Sequence, residues 1–586
     1  MFFPVIIVQG RRCCVPMVST KRLFSEGLHD PSLFRTVYII NLFLCAVYFW
    51  NVIGVAANIF ILLWSLVLFI DMFLAKKPCR NIKQGLILVG FLVAGLYTII
   101  LHIDSNFGEN FVMLYHAAVC FFLFYGMHSD PNREKVKREI DHILKVIVVL
   151  STVLAVAGLL FVLCAPTGRL YLGGYVFGIM DNRFTGVFTN PNLAAFASVS
   201  GMACCHILLK RNRATKTGKQ VLPRWVVGLC FGANGLSLLL SDSNSSLVFA
   251  ITYIVVYVFC RLYQESRMLT SKKVVIRGVA LVLCCALIAG SGLMLRTICQ
   301  SVVSTFVTTT TQVLAEDEDA SSTVSASPDT DNTVAVSAST SSNAEETDAP
   351  SVEIGRTNDY DISSGRLDSL KKSLVLFGKF PLMGIGKGNI VPYGEQYLFQ
   401  GFRFSDLHNG YLTILISNGL VGLLLFMGFL FLFVRRLLRC LRKNRDSDLK
   451  ELPALIAALA AYCVFGLFEK AVLYDITFMV VVFWMLLGHT ATFLSQYEWQ
   501  EDTVDGFASL RVGGASLPTP DMLPLPAYPV PSMTYGVFEP QESHYPVLIT
   551  PVYSSFQQQG HSPPKSAHGH FIDSSGKERP PSRLIS

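Results

Sequence analysis

The chain has 586 residues, 52% of them hydrophobic and only 15% charged, with a mean hydropathy of +0.47. Soluble globular chains carry roughly a quarter charged residues, so this composition excludes an ordinary soluble fold for most of the length. The formal net charge of +7 does not point to nucleic acid. Its basic residues cluster between apolar runs, at Lys76, Lys77, Arg80 and Lys83, then Arg133, Lys135, Lys137 and Arg138, then Lys210, Arg211, Arg213, Lys216 and Lys219, which is the pattern of cytoplasmic loops.

In chain order, residues 1–35 open apolar and turn basic only at Arg11 and Arg12, the reverse of a secretory signal, and are expected to form a cytoplasmic segment. Apolar runs long enough for a hydrocarbon core of about 30 Å then predict an all-α polytopic membrane protein of about twelve transmembrane helices. Residues 36–295 hold the first nine: 36–55 and 57–75 with a turn near Asn51–Asn58, then 84–101, 111–127, 143–164, 193–209, 224–240, 247–261 and 274–295. An extracytoplasmic loop follows at 296–410. Its 301–352 stretch, rich in Ser, Thr and acids, cannot bury a core and reads as low-complexity. Its 363–410 stretch reads as structured, with Leu367, Leu370, Leu374 and Phe377 at helical spacing over 363–380, and this amphipathic helix is expected to lie in the membrane surface plane. Helices ten to twelve, at 411–434, 452–468 and 474–494, fill 411–495, and 496–586 is a Pro-rich tail expected to be disordered. With the N-terminus inside, every basic cluster falls on one side. Both termini are therefore expected in the cytoplasm and the chain in the cytoplasmic (cell) membrane.

The fifteen cysteines lie mostly in apolar runs, where Cys acts as a small hydrophobe, and none forms a CxxC pair. No metal and no cofactor is expected. Cys164 and Cys299, both near the outer face, are a candidate disulfide. Asp71, His116 and His206 lie in or near spans and read as structural.

Three polar stretches fall on the outer side. Asn182-Arg183-Phe184-Thr185-Gly186, with Asn190-Pro191-Asn192, precedes a membrane helix. Ser364-Gly365-Arg366 is followed by Phe380-Pro381-Leu382-Met383-Gly384-Ile385-Gly386. His408-Asn409-Gly410-Tyr411-Leu412 is followed by Asn418-Gly419-Leu420-Val421-Gly422. In order and in spacing across membrane helices, these stretches resemble the O-antigen ligase and polymerase family over residues 36–495.

That resemblance implies a membrane glycosyltransferase. Its donor is a polyprenyl-diphosphate-linked glycan, and its acceptor is a hydroxyl on a lipid, protein or glycan. Membrane lipids surround it, no nucleic acid takes part, and ligase and polymerase both stay open. The chemistry suits the residues. Arg183 and Arg366 offer planar, permanent cations for a diphosphate leaving group. His408 is the candidate base, beside a helix start whose dipole favours neutral imidazole. Asn190, Asn192 and Asn409 are supporting residues with helix-capping roles. One family feature is missing. The arginine usual in the mid-chain turn is replaced in Ser241-Asp242-Ser243-Asn244, where Asn244 holds its position, so Arg366 or another cation must supply that charge.

Structural alternatives stand beside each reading: Arg183 as an interfacial anchor, Arg366 as a solvated helix start, His408 as a cap with Asn409. Gly384-Ile385-Gly386-Lys387-Gly388 lacks phosphate-loop spacing and reads as a tight turn. A transporter or flippase fits the helix count equally well, and a scaffold acting through the Pro-rich tail is a third reading. The lack of a clear repeat and the scarcity of mid-membrane charge weigh against transport.

Overall fold

The computed structural model describes residues 27–74, 82–130, 132–165, 168–172, 175–212, 222–265, 276–277, 279–280, 290–309, 366–398, 407–443 and 450–511. Of two compact units, Met1–Gly513 and Gly514–Ser586, all described residues belong to the first. Eight helices among them are long and apolar enough to cross a membrane. Three shorter apolar helices, Pro31–Cys45, Arg224–Leu240 and Leu452–Phe465, accompany them. The expected ninth span falls largely outside the described residues.

Helix α1 (Pro31–Cys45) starts on Asp30, whose carboxylate accepts from the Ser32 amide at 3.0 Å. It stops at residues 46–50, ahead of the turn expected at Asn51–Asn58, and those asparagines lie inside α2 (Asn51–Leu74). The physical reason is a polar contact between the two helices. The Asn41 amide donates to Gly54 O at 3.1 Å and to Asn58 Oδ1 at 2.8 Å, so asparagines that resemble turn residues satisfy each other within a helix pair. Helix α3 is Ile82–Leu101, and α4 (Phe107–Val119) continues through a π turn and a 3₁₀ turn to Ser129. Helix α5 (Arg133–Cys164) begins well before the expected 143, because Asn132 caps it at Lys135 N (3.0 Å) and Val136 and Ile140 keep the inward helical spacing.

The loop after α5 corrects the all-α expectation. Strands β1 (Arg169–Leu172), β2 (Tyr175–Met180) and β3 (Arg183–Gly186) form an antiparallel three-stranded sheet. Asp181 and Asn182, at φ of 49° and 57°, make the two-residue turn from β2 to β3. Beyond it lie α6 (Pro191–Asn212), α7 (Arg224–Leu240), α8 (Asn244–Glu265) and α9 (residues 290–309). Helix α9 runs into the stretch expected to be low-complexity, since Val303 and Val307 pack with Ile179 and Phe184 of the sheet. Cys164 and Cys299 are both free thiols. Next come α10 (Arg366–Lys379), the expected amphipathic helix, and α11 (Ile390–Leu398), followed by α12 (Gly410–Lys443), α13 (Leu452–Phe465) and α14 (Phe478–Arg511). The last of these extends past the expected start of the tail. Leu376 of α10 packs with Ile390, Leu412 and Ile416, and Phe377 packs against this cluster, whereas Leu370 and Leu374 of the expected stripe are exposed.

Helix α14 is the central post of the bundle. Its membrane-length window is 100% buried, against 22% for α8. Trp484 stacks on Phe429 (5.6 Å between centroids), and its indole donates to Val472 O at 2.8 Å. The two ends of the bundle differ in polarity. At one end Arg211 is buried, with its Nε 2.9 Å from Asp141 and its Nη1 3.6 Å from Glu451 and 3.0 Å from His489 Nε2. Arg35 pairs with Glu139 at that end. Asp71 bonds His29 at 2.5 Å, and His206 bonds Tyr253 at 2.8 Å; both thus have structural partners. The described parts of the three motif regions gather at the opposite end.

Candidate functional site

Arg183 leaves the hairpin turn at the start of β3 and is held by backbone. Its Nε donates to Ser241 O at 3.0 Å, and its Nη2 donates to Asp242 O at 3.2 Å and to Asn192 Oδ1 at 2.9 Å. An interfacial anchor would reach toward headgroups; this guanidinium instead ties β3 to the turn between α7 and α8. Asn190 caps α6 as expected. Its side chain accepts from the Asn192 amide at 2.7 Å and its carbonyl accepts from Leu193 and Ala194. That cap aims Asn192, whose Nδ2 donates to Glu469 Oε1 at 3.4 Å. The other Glu469 oxygen lies 3.2 Å from His408 Nδ1.

His408 is not the cap of α12. Asn409 does that work, its Oδ1 accepting from the Tyr411 and Leu412 amides at 3.0 Å each, with Thr413 bonding its carbonyl at 2.8 Å. His408 has φ of 44°, and its side chain is 46% exposed. One group in contact with its ring is the Glu469 carboxylate. A carboxylate at Nδ1 favours the tautomer with the proton there and leaves the Nε2 lone pair to act as a base.

Glu469 is positioned by the segment joining α13 to α14. Ala471, Val472 and Leu473 in it are fully buried. The Gly410 amide donates to Gly466 O at 2.8 Å, which fastens the start of α12 to this segment. Tyr474, also in it, bonds Asn418 Oδ1 at 2.5 Å, and burial pushes its phenol well above the usual range, so it serves as a neutral donor.

The glycine block after α10 does turn tightly, without the form of a nucleotide loop. The Ile385 and Gly386 amides donate to Ile416 O (3.0 Å) and Ser417 O (2.8 Å), while the Leu420 amide donates back to Pro381 O (2.8 Å). Gly419 breaks α12 at φ 63°, and a Cβ there would sit 2.1 Å from Leu382 O. Only glycine allows this close approach. The break locks α10 and its following turn beside the residues that carry His408.

Asn244 opens α8, and its Oδ1 accepts from Arg296 Nη1 of α9 at 2.9 Å. Arg296 also pairs with Asp242. A cation therefore stands at the position where the turn itself has none. Arg366 is the first residue of α10, and its side chain lies outside the described residues. Among the described residues, no group of three or more His, Cys, Asp or Glu is placed to hold a metal ion.

Residues 229–427 match the family model described as O-antigen ligase. The chain carries an O-antigen ligase-like domain. Its eight described membrane-length helices are those of an integral membrane protein. The match spans the 241–244 turn, α9, α10, His408 and the Gly419 break. Arg183, Asn192 and Glu469 lie outside it and are joined to it by the hydrogen bonds above. No curated protein matches the chain.

Of the residues expected from sequence, the fold links Arg183, Asn192 and His408 in one series and sets Asn190, Asn409 and Asn244 as their supports. Sequence reasoning missed Glu469, Asp242 and Arg296. Each is a charge at the end of an apolar run, and that placement is itself a functional signal in a membrane protein.

Proposed function

We propose that this O-antigen ligase-like protein is a glycosyltransferase. It moves a saccharide from a polyprenyl-diphosphate carrier to an acceptor hydroxyl at the outer face of the cytoplasmic membrane. The observation that carries this reading is the series Arg183–Asn192–Glu469–His408, in which the Asn192 amide links the Arg183 guanidinium to the carboxylate that contacts the His408 imidazole, at the end of an apolar bundle. The described basic residues Arg133, Lys135, Lys137, Arg138, Lys210 and Arg211 lie at the other end, and positive charge at helix ends favours the cytoplasm, which supports an outward-facing site and inward termini.

In the proposed reaction His408 Nε2 takes the proton from the acceptor hydroxyl while Glu469 steadies the imidazolium that forms. The acceptor oxygen bonds to the anomeric carbon. The bond from that carbon to the diphosphate oxygen breaks, and its electron pair leaves with the lipid diphosphate. Arg183, together with Arg366, balances the charge that develops there. Ligation and polymerisation share these steps and differ only in the acceptor.

The test is His408→Ala, assayed for glycan transfer with the protein at normal membrane levels. Loss of transfer is expected, and full activity would remove the base from this scheme. Deleting the protein and analysing surface glycans separates the two outcomes of the reaction. Single unpolymerised repeats mark a polymerase, and complete chains left on the carrier mark a ligase.

A further inference from the structure

We infer that Arg296, on α9, is a further cation of the donor's diphosphate site, beside Arg183 and Arg366, and supplies the charge that the 241–244 turn lacks. The inference rests on the glycosyl-transfer reading above. Two guanidiniums from different elements converge on this one turn. Arg183 reaches it from β3 through Ser241 O (3.0 Å) and Asp242 O (3.2 Å). Arg296 reaches it from α9 through the Asp242 carboxylate and Asn244 Oδ1.

The surroundings of Arg296 favour function over simple solvation. Leu293, Met294, Leu295, Ile298 and Val302 are exposed apolar residues on the same helix, yet the Arg296 side chain is only 14% exposed. A guanidinium on such a helix turns inward to a partner, and ionisable groups in such places mark ligand paths. Asp242 and Asn244 orient it. Asp242, at φ of 55°, meets Arg296 through its carboxylate and Arg183 through its backbone oxygen. A diphosphate carries more negative charge than one carboxylate, so it competes with Asp242 for both guanidiniums. The exposed apolar side of α9 then offers the prenyl chain a surface continuous with the bilayer. A lipid diphosphate, and not a free nucleotide, is the ligand that uses both features.

The experiment uses the full chain in membranes, with a polyprenyl-diphosphate-linked donor. Arg296→Gln is expected to raise the donor KM and the inhibition constant of sugar-free polyprenyl diphosphate by about tenfold or more, the scale of one charged hydrogen bond, with acceptor KM unchanged. Adding Asn244→Arg to Arg296→Gln, which returns a guanidinium to the turn from its other side, is expected to recover most of the loss. Unchanged donor KM and inhibition in Arg296→Gln, with His408→Ala inactive, would overturn the assignment and leave the glycosyl-transfer reading standing. Full transfer in His408→Ala and Arg183→Ala would instead remove that reading. Should Arg296→Gln fail to accumulate, Arg296→Lys keeps the charge but not the planar fork: a raised donor KM is expected, and an unchanged one refutes the role.

Discussion

Glu469→Gln isolates the one charge that joins the two halves of the site. The substitution keeps the size of the side chain and an oxygen for Asn192 Nδ2, and removes only the negative charge beside His408. At the observed 3.2 Å, two unit charges attract by about 5 kcal/mol at an effective dielectric near 20. Solvent reduces this, because the His408 side chain is 46% exposed although that of Glu469 is only 10% exposed. Hydrogen bonds to charged groups contribute about 1.5–3 kcal/mol, and that is the range we expect in the transition state, where the imidazole becomes cationic. The rate constant kcat should therefore fall roughly 10- to 150-fold, with donor KM little changed. The assay is single-turnover transfer by the protein in membranes, read as glycan released from the carrier. A Glu469→Gln protein with unchanged kcat, alongside an inactive His408→Ala, would show that the carboxylate does not assist the base.

The remaining predictions concern support for the site. Gly419→Ala should lower membrane levels and thermal stability, since the added Cβ would meet Leu382 O at 2.1 Å at a positive φ, whereas Gly428→Ala, with open space around it, should be neutral or raise stability by about 0.5–1 kcal/mol. Thermal unfolding in detergent compares the two. Arg211→Ala should destabilise by about 3 kcal/mol, because it leaves the Glu451 carboxylate and the half-buried Asp141 carboxylate without their buried cation. Burial raises the Glu451 carboxyl above its ordinary range despite Arg211, so its ionised form opposes folding. Glu451→Gln should thus be tolerated, and any gain in Tm over the parent should be present above the raised Glu451 range and shrink as pH falls through it. A gain that grows on acidification would contradict this sign.

Hydropathy by itself determined that this chain is mostly helical, with apolar helices of membrane length. A helix of membrane length needs only a local run of apolar residues, and such a run can be read without knowing its neighbours. Local patterns also sufficed for the Asn190 and Asn409 caps, since each depends on residues within a few positions. The tertiary structure decided what distant contacts control. The sheet at 169–186 was not expected from sequence, and its hairpin turn is made by Asp181 and Asn182. Asn51 and Asn58 look like turn residues until Asn41 is seen to satisfy Asn58 across the helix pair. Glu469 and Arg296 are 61 and 52 residues from the His408 and Asn244 side chains they touch, so no local pattern could assign them. Charges that the bundle brings together across such separations make the site, and the sequence around either partner reads only as the end of a membrane helix.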